Sequence, residues 1–463
     1  MGAAQSAGAH KGIDLTSGVT TSGTTVGTTV GAAGDHATVL GVGAFSAFAP
    51  VAGYSRQVEY VGGDNGFTGG HVVAEGKRLY VGSYGRGMHI YDIADPRSPR
   101  KIGEYVPGKP RADAPPDAAV FDGRHIAVLN GTRRTTTHSA APGDVRTDRT
   151  EFLDVTDPAN PKLLWTFGPD QVDGESHNGD IVDERRLYFP SGGSGTGQNS
   201  QGLRIYDLNP LLETPARAPE NIFRGDPVAL WAESPYRSES EPVGTPFTHT
   251  HDITIYTDYY VEGLGRRDIA LLAEGGSYGN NNGDTGSVFV IDVTDPRSPV
   301  VLLRWLHERG DEHHPIRYHH EAQFLDGDPR LMLVTDEDMH NGCGGAGGVT
   351  AVRLSDDLQS GTEESEWFIP RGTPAPVCSV HVFDSKGTRV YLGSYSAGLQ
   401  IVDYADPANP RQVGYYIAEG TTAWGADIHK RYVYVGDMTR GLDVFQFAGD
   451  KKSSKKPRRG GRA

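Results

Sequence analysis

Short runs in which apolar and polar residues alternate recur down the whole chain, and most end in Asp. They read GMHIYDIADPRSP from Gly87, FLDVTDPANP from Phe152, GLRIYDLNP from Gly202 and VFVIDVTDPRSP from Val288. A degenerate copy, VTAVRLSDD, starts at Val349. GLQIVDYADPANP follows from Gly398 and GLDVFQF from Gly441. Alternation with a period of two is the mark of a half-buried strand, and D-P-x-x-P is a turn. Seven copies of one supersecondary unit must pack against one another, because one copy cannot bury its own apolar faces.

Each full copy reads as four strands. In the first they are HVVAEG from His71, RLYVGSYG, GMHIYDIAD and RKIGEYV from Arg100. The pattern predicts an all-β, seven-bladed β-propeller over residues 54–448. The last copy stops after its third strand, at Phe447. SRQVEYV from Ser55 matches the fourth strands PRQVGYYIA from Pro410 and PRKIGEYV from Pro99. This N-terminal strand is expected to complete the last blade and close the ring, which removes exposed sheet edges. Residues 1–53 read as a Gly/Ala/Thr-rich segment and 449–463 as a basic disordered tail.

Composition narrows the functional classes. The chain has 62 Gly and 29 Pro among 463 residues and no long amphipathic helical pattern. A net charge of −15 argues against a nucleic-acid-binding body. No apolar run is long enough for a membrane span. The N-terminus lacks the basic and apolar regions of a signal peptide, as expected of a mature, processed form. GSGTG from Gly193 is followed by no Lys-Ser/Thr, so it is not a phosphate loop, and no G-x-S-x-G nucleophile elbow occurs. Cys343 and Cys378 are the only cysteines, compatible with one disulfide or two thiols.

The strands Leu399 to Asp403 (LQIVD), Val288 to Asp292 (VFVID) and Met88 to Asp92 (MHIYD) resemble the repeat of bacterial LVIVD-repeat proteins. The resemblance spans roughly Ser55 to Phe447. It implies a propeller, and a secreted or cell-surface location; the sequence itself leaves the cytoplasm open. It implies no catalytic residues, because fold does not dictate activity.

Inner strands line a propeller's channel, so residues at their starts face its mouth. Three adjacent copies begin alike: HNGDI at His177, HTHDI at His249 and HHEAQF at His320. Equivalent positions around one axis converge, and three imidazoles are a common shell for a divalent metal. A second polar ring lies three residues on and includes His71, Asp180, Asp252, Gln323 and His381. The metal ligands expected are His177, His249, His320, Gln323, His251 and His71, with His251 able to replace His249. Asp180, Asp252 and Gln323 are expected to orient imidazole N–H groups. His319, Tyr318, Arg317 and His381 are the expected catalytic or substrate-contacting groups. The metal would be Zn, Mn, Fe or Cu.

The function expected is a metal-dependent lyase or hydrolase acting on a small-molecule or oligomeric polar substrate. A metal-dependent oxidase or oxygenase is the second possibility, and a non-catalytic, partner-binding scaffold the third. A His at a fixed repeat position can also serve only to brace neighbouring blades.

Overall fold

The computed structural model describes residues 51–83, 86–107, 115–131, 150–167, 176–191, 202–239, 250–275, 286–307, 318–338, 343–345 and 347–450. The chain is an all-β, seven-bladed propeller. Blade one is the sheet Gly69–Glu75, Arg78–Ser83, Gly87–Asp92, Arg100–Tyr105, in that order from inner to outer strand. The inner strands of blades two to six are Pro116–Phe121, Gly179–Val182, Thr250–Val261, His319–Leu325 and Phe383–Lys386. Blade seven consists of Ala423–His429, Tyr432–Asp437 and Gly441–Phe447, with Val58–Asp64 paired antiparallel to the last. Ala448 N–H donates to the Gln57 carbonyl oxygen at 2.8 Å, so the two sides of the seam touch. Val51–Tyr54, which straddles the boundary expected between residues 53 and 54, adds a fifth strand to blade six beside Arg411–Ala418. Among the described residues, no helix is long and apolar enough to cross a membrane.

Period-two alternation decides which neighbour each side chain meets. In blade one, Leu79, Val81 and Tyr91 pack with Tyr434, Leu442 and Val444 of blade seven. The intervening Tyr80, Met88 and Ile90 pack with Ala127, Leu129 and Leu153 of blade two. Both faces are therefore buried, and each large side chain contributes about 1.5–3 kcal/mol. The repeat's terminal Asp closes a turn on itself. Oδ1 of Asp92, Asp154, Asp292 and Asp403 accepts the N–H two residues on, at 2.9, 3.0, 2.9 and 3.0 Å.

Two kinds of bulge interrupt this regularity. Every outer strand carries a one-residue bulge, for example at Ile102 in blade one and Glu364 in blade five. Several inner strands carry another at their start. There the register leaves His251 unpaired between Thr250 and Asp252, and Trp424 unpaired between Ala423 and Gly425. One extra residue also falls between Gly69 and Val72, and one between His319 and Ala322.

Candidate metal centre

The inner strands are fastened by carboxylates. Asp117 accepts the N–H of Ile181 at 2.6 Å, and Asp180 that of Ile255 at 2.8 Å. Glu321 accepts from Phe383 at 3.0 Å, Asp384 from Ile428 at 2.9 Å and Asp427 from Ala74 at 2.9 Å. Each acceptor belongs to one blade and each donor to the next. Burial, the largest cause in every case, pushes Asp117 and Asp427 up to about 8 and Asp180 and Asp384 up to about 6.

These bonds correct the expectation that Asp180, Asp252 and Gln323 orient imidazoles. Asp252 takes the Asn178 side-chain amide at 2.8 Å and its neighbouring Ile253 N–H at 2.8 Å. Burial raises it to about 7. Gln323, expected as a metal ligand, donates its amide to the Phe383 carbonyl at 2.9 Å and to Glu321 at 2.6 Å. It is an inter-blade brace.

Imidazoles form an arc around the axis. His177 of blade three lies 4.8 Å from His251 of blade four, ring centre to ring centre. His251 is 4.1 Å from His320 of blade five, which is 4.0 Å from His381 of blade six. His381 is 4.2 Å from Trp424 of blade seven and 5.5 Å from His71 of blade one. All five histidines are buried. The arc mixes the two rings expected from sequence, because the bulges at the strand starts change the phase of the alternation. His251 and Trp424 reach the axis as unpaired bulge residues.

Within the arc, His251, His320 and Glu337 bring their ligand atoms within 4.8 Å of one another. Glu337 follows the strand Asp328–Asp336, and its N–H donates to the Tyr318 carbonyl at 2.9 Å. Its Oε2 stands 3.9 Å from His320 Nε2, and its Oε1 3.7 Å from His381 Nε2. Tyr395 donates its hydroxyl to Glu337 Oε1. Tyr395 has φ 44°, a left-handed conformation, and is held by paired backbone bonds to Ala423 at 2.8 and 2.9 Å.

Two tautomers follow from these bonds. His251 Nδ1 lies 3.1 Å from the His320 carbonyl oxygen, and His381 Nδ1 lies 2.7 Å from that of Trp424. A carbonyl only accepts, so Nδ1 carries the proton and Nε2 of each neutral ring keeps its lone pair. Anchoring of one ring nitrogen on a backbone carbonyl is the usual support of a metal-binding imidazole. The donor set of two imidazoles and one buried carboxylate fits a divalent transition metal.

Of the other expected residues, His177 and His71 join the arc outside the tight group. His249 and Arg317 lie outside the described residues. Tyr318 is buried with its ring 5.2 Å from His251. His319 is a correction. It precedes His320 on one strand and takes the other face, stacking on Trp305 at 5.5 Å and lying 5.7 Å from His307. Glu337 was missed in the sequence. The available signal was a carboxylate just past the second strand, where blade four has Gly275. Cys343 and Cys378 form a disulfide, joining the stretch after Glu337 to the approach to His381.

Residues 69–106 match the LVIVD repeat. That match covers blade one. No curated protein matches the chain. Among solved structures, the WD40 β-propeller domain of Doa1 is similar at TM-score 0.51 and 7% identity, covering 85% of this chain and 98% of that one. The β-propeller domain of Cps50 (Swd1) from Myceliophteria_thermophila gives TM-score 0.49 and 12% identity, covering 86% and 99%. At 7% identity the Doa1 likeness shows the propeller fold alone.

Proposed function

We propose that the LVIVD-repeat propeller is a metal-dependent enzyme, with a divalent cation held on the axis by His251, His320 and Glu337. The observation that carries this reading is the convergence of three buried ligand atoms from two blades. The cation would supply Lewis-acid polarisation or a bound water of lowered pKa. Lyase or hydrolase chemistry on a small or oligomeric polar substrate uses those properties most directly. Glu337 supplies the negative charge of the site, and Tyr395 fixes it. His381 presents an Nε2 lone pair beside Glu337 and has its other nitrogen fixed on Trp424, which suits it to take up and return a proton. Tyr318 closes the other side of His251.

The disulfide supports an oxidising, extracytoplasmic location, since both cysteines of the chain are paired.

A second reading is favoured by the same Nδ1 bonds. They run from His251 to blade five and from His381 to blade seven, so the imidazoles could be braces in a non-catalytic scaffold. Metal analysis of the purified protein beside His320→Ala separates the two. Stoichiometric transition metal that disappears in a variant of unchanged melting temperature supports the metal site. A metal-free protein that His320→Ala destabilises supports the scaffold.

A further inference from the structure

We propose a second divalent-cation site at the rim between blades four and five, formed by His307, Glu363 and Glu366. It shares no ligand with the axial group. His307 directly follows the outer strand Val300–Leu306 of blade four. Both glutamates belong to the outer strand Gly361–Trp367 of blade five. His307 Nε2 stands 3.7 Å from Glu363 Oε2 and 3.7 Å from Glu366 Oε1, and the three ligand atoms lie within 4.8 Å of one another.

Residues i and i+3 of a regular strand point to opposite faces. Glu363 and Glu366 meet one imidazole because the outer-strand bulge intervenes. Ala351 pairs with Ser365 and Val352 with Glu363, so Glu364 is the extra residue and the alternation shifts by one.

The same bulge lets the blades be compared. The extra residue is apolar in other outer strands, as at Ile102, Leu302 and Val413. In blade five it is Glu364, which pairs through both oxygens with Arg353 at 3.1 and 3.3 Å. Arg353 stands where the repeat has its Asp. The positions of Glu363 and Glu366 hold Lys101 and Glu104 in blade one, and Val301 and Arg304 in blade four. No other blade places two carboxylates there. The position of His307 holds Pro107 in blade one and Pro227 in blade three. The compared blades lack this combination of groups, and in blades four and five the departures coincide in space.

The spacing is compatible with coordination of a shared cation. At 3.7 Å the imidazole–carboxylate separations exceed a hydrogen bond of about 2.7–3.2 Å. They are close to the roughly 3.4 Å between two ligand atoms set about 2.1 Å from a tetrahedral zinc. His307 is buried (4% side-chain exposure), while Glu363 and Glu366 are 36% and 22% exposed. A cation there would be anchored from below and open to solvent on one side. One imidazole with two carboxylates suits Zn²⁺ or Mn²⁺.

The test is a Zn²⁺ titration of full-length, metal-stripped protein against a chromophoric chelator, repeated with Mn²⁺. The expected result is two equivalents per chain for the wild type. Glu366→Gln and Glu363→Gln should each weaken one of them at least tenfold, and His320→Ala should remove the other. Glu366 is partly exposed, so an unchanged apo melting temperature shows that its variant folds. One equivalent lost in Glu366→Gln but kept in His320→Ala would uphold the rim site and sink the axial one. Wild-type stoichiometry and affinity in both glutamine variants, or no bound Zn²⁺ or Mn²⁺ at all, would overturn the proposal.

Discussion

Tyr395→Phe tests the axial site with the smallest change to the structure. The phenol ring packs 5.4 Å from His381 and 5.5 Å from Trp424, and the backbone of Tyr395 is tied to Ala423 in both directions. The variant keeps the ring, the strained backbone and those ties. It loses one hydroxyl donated to a buried carboxylate. A hydrogen bond to a charged group contributes about 1.5–3 kcal/mol. Loss of a group that orients a metal ligand typically weakens metal binding about 10–100-fold, or about 1.4–2.7 kcal/mol. Tyr395→Phe should therefore bind metal at the axis at least tenfold more weakly. Glu337→Gln, which removes the carboxylate itself, should lose more. The assay is chelator competition at fixed pH, with the melting temperature of metal-free protein as control. Affinity within twofold of wild type in Tyr395→Phe, together with loss of binding in Glu337→Gln, would refute a positioning role for the phenol. Unchanged affinity in both variants would refute the site.

Further perturbations address the ring itself. Asp117 has a folded-state pKa raised to about 8 by burial, above its unfolded value of about 3.9. Its proton stabilises the fold below about pH 4, and that contribution is lost as the pH rises toward 8. Asp117→Asn should therefore flatten the decline of stability over this window by up to about 1.4 kcal/mol per pH unit, and urea unfolding at several pH values reads it. Glu274 is 1% exposed and bonds Arg304 at 3.1 Å in a fully buried pair. Glu274→Ala should cost about 3 kcal/mol or more by stranding the guanidinium, seen as a drop in the denaturation midpoint. Removing residues 1–64 strips the added fifth strand from blade six and the outer strand from blade seven. The shortened chain should associate or melt earlier in light scattering and thermal scans, and an unaltered monomer would argue that these strands are dispensable.

The ring was legible because its strands alternate with a strict period and its turns repeat a Pro-bearing phrase. The site was legible only in part. His320, His251 and His381 were all named as candidates, but an even count along the strand assigns them to opposing faces. Single unpaired residues at the strand starts reverse that assignment, and no composition signal marks them, since they occur at His251 in one blade and Trp424 in another. Glu337 sits beyond the end of its strand, where periodicity carries no information. Asp180 and Gln323 were misjudged for a different reason. A carboxylate or amide near an imidazole in sequence has a stronger claim on the backbone N–H or carbonyl of the adjacent sheet, because burying that group unpaired costs about 1–3 kcal/mol.

The carboxylate fastenings all run in the same sense, each reaching from one blade to the next, and Asp427 grips Ala74 across the seam where the ring closes. Among the described residues, five of the seven blade junctions carry such a fastening, and the seam is one of them. With Gln57 and Ala448 already in contact, a short peptide would join the two sides of the seam, and a circular permutant opened between any two blades would inherit every fastening. The seam is thus held by the same kind of bond as the junctions inside the chain, although its two sides lie at opposite ends of the sequence.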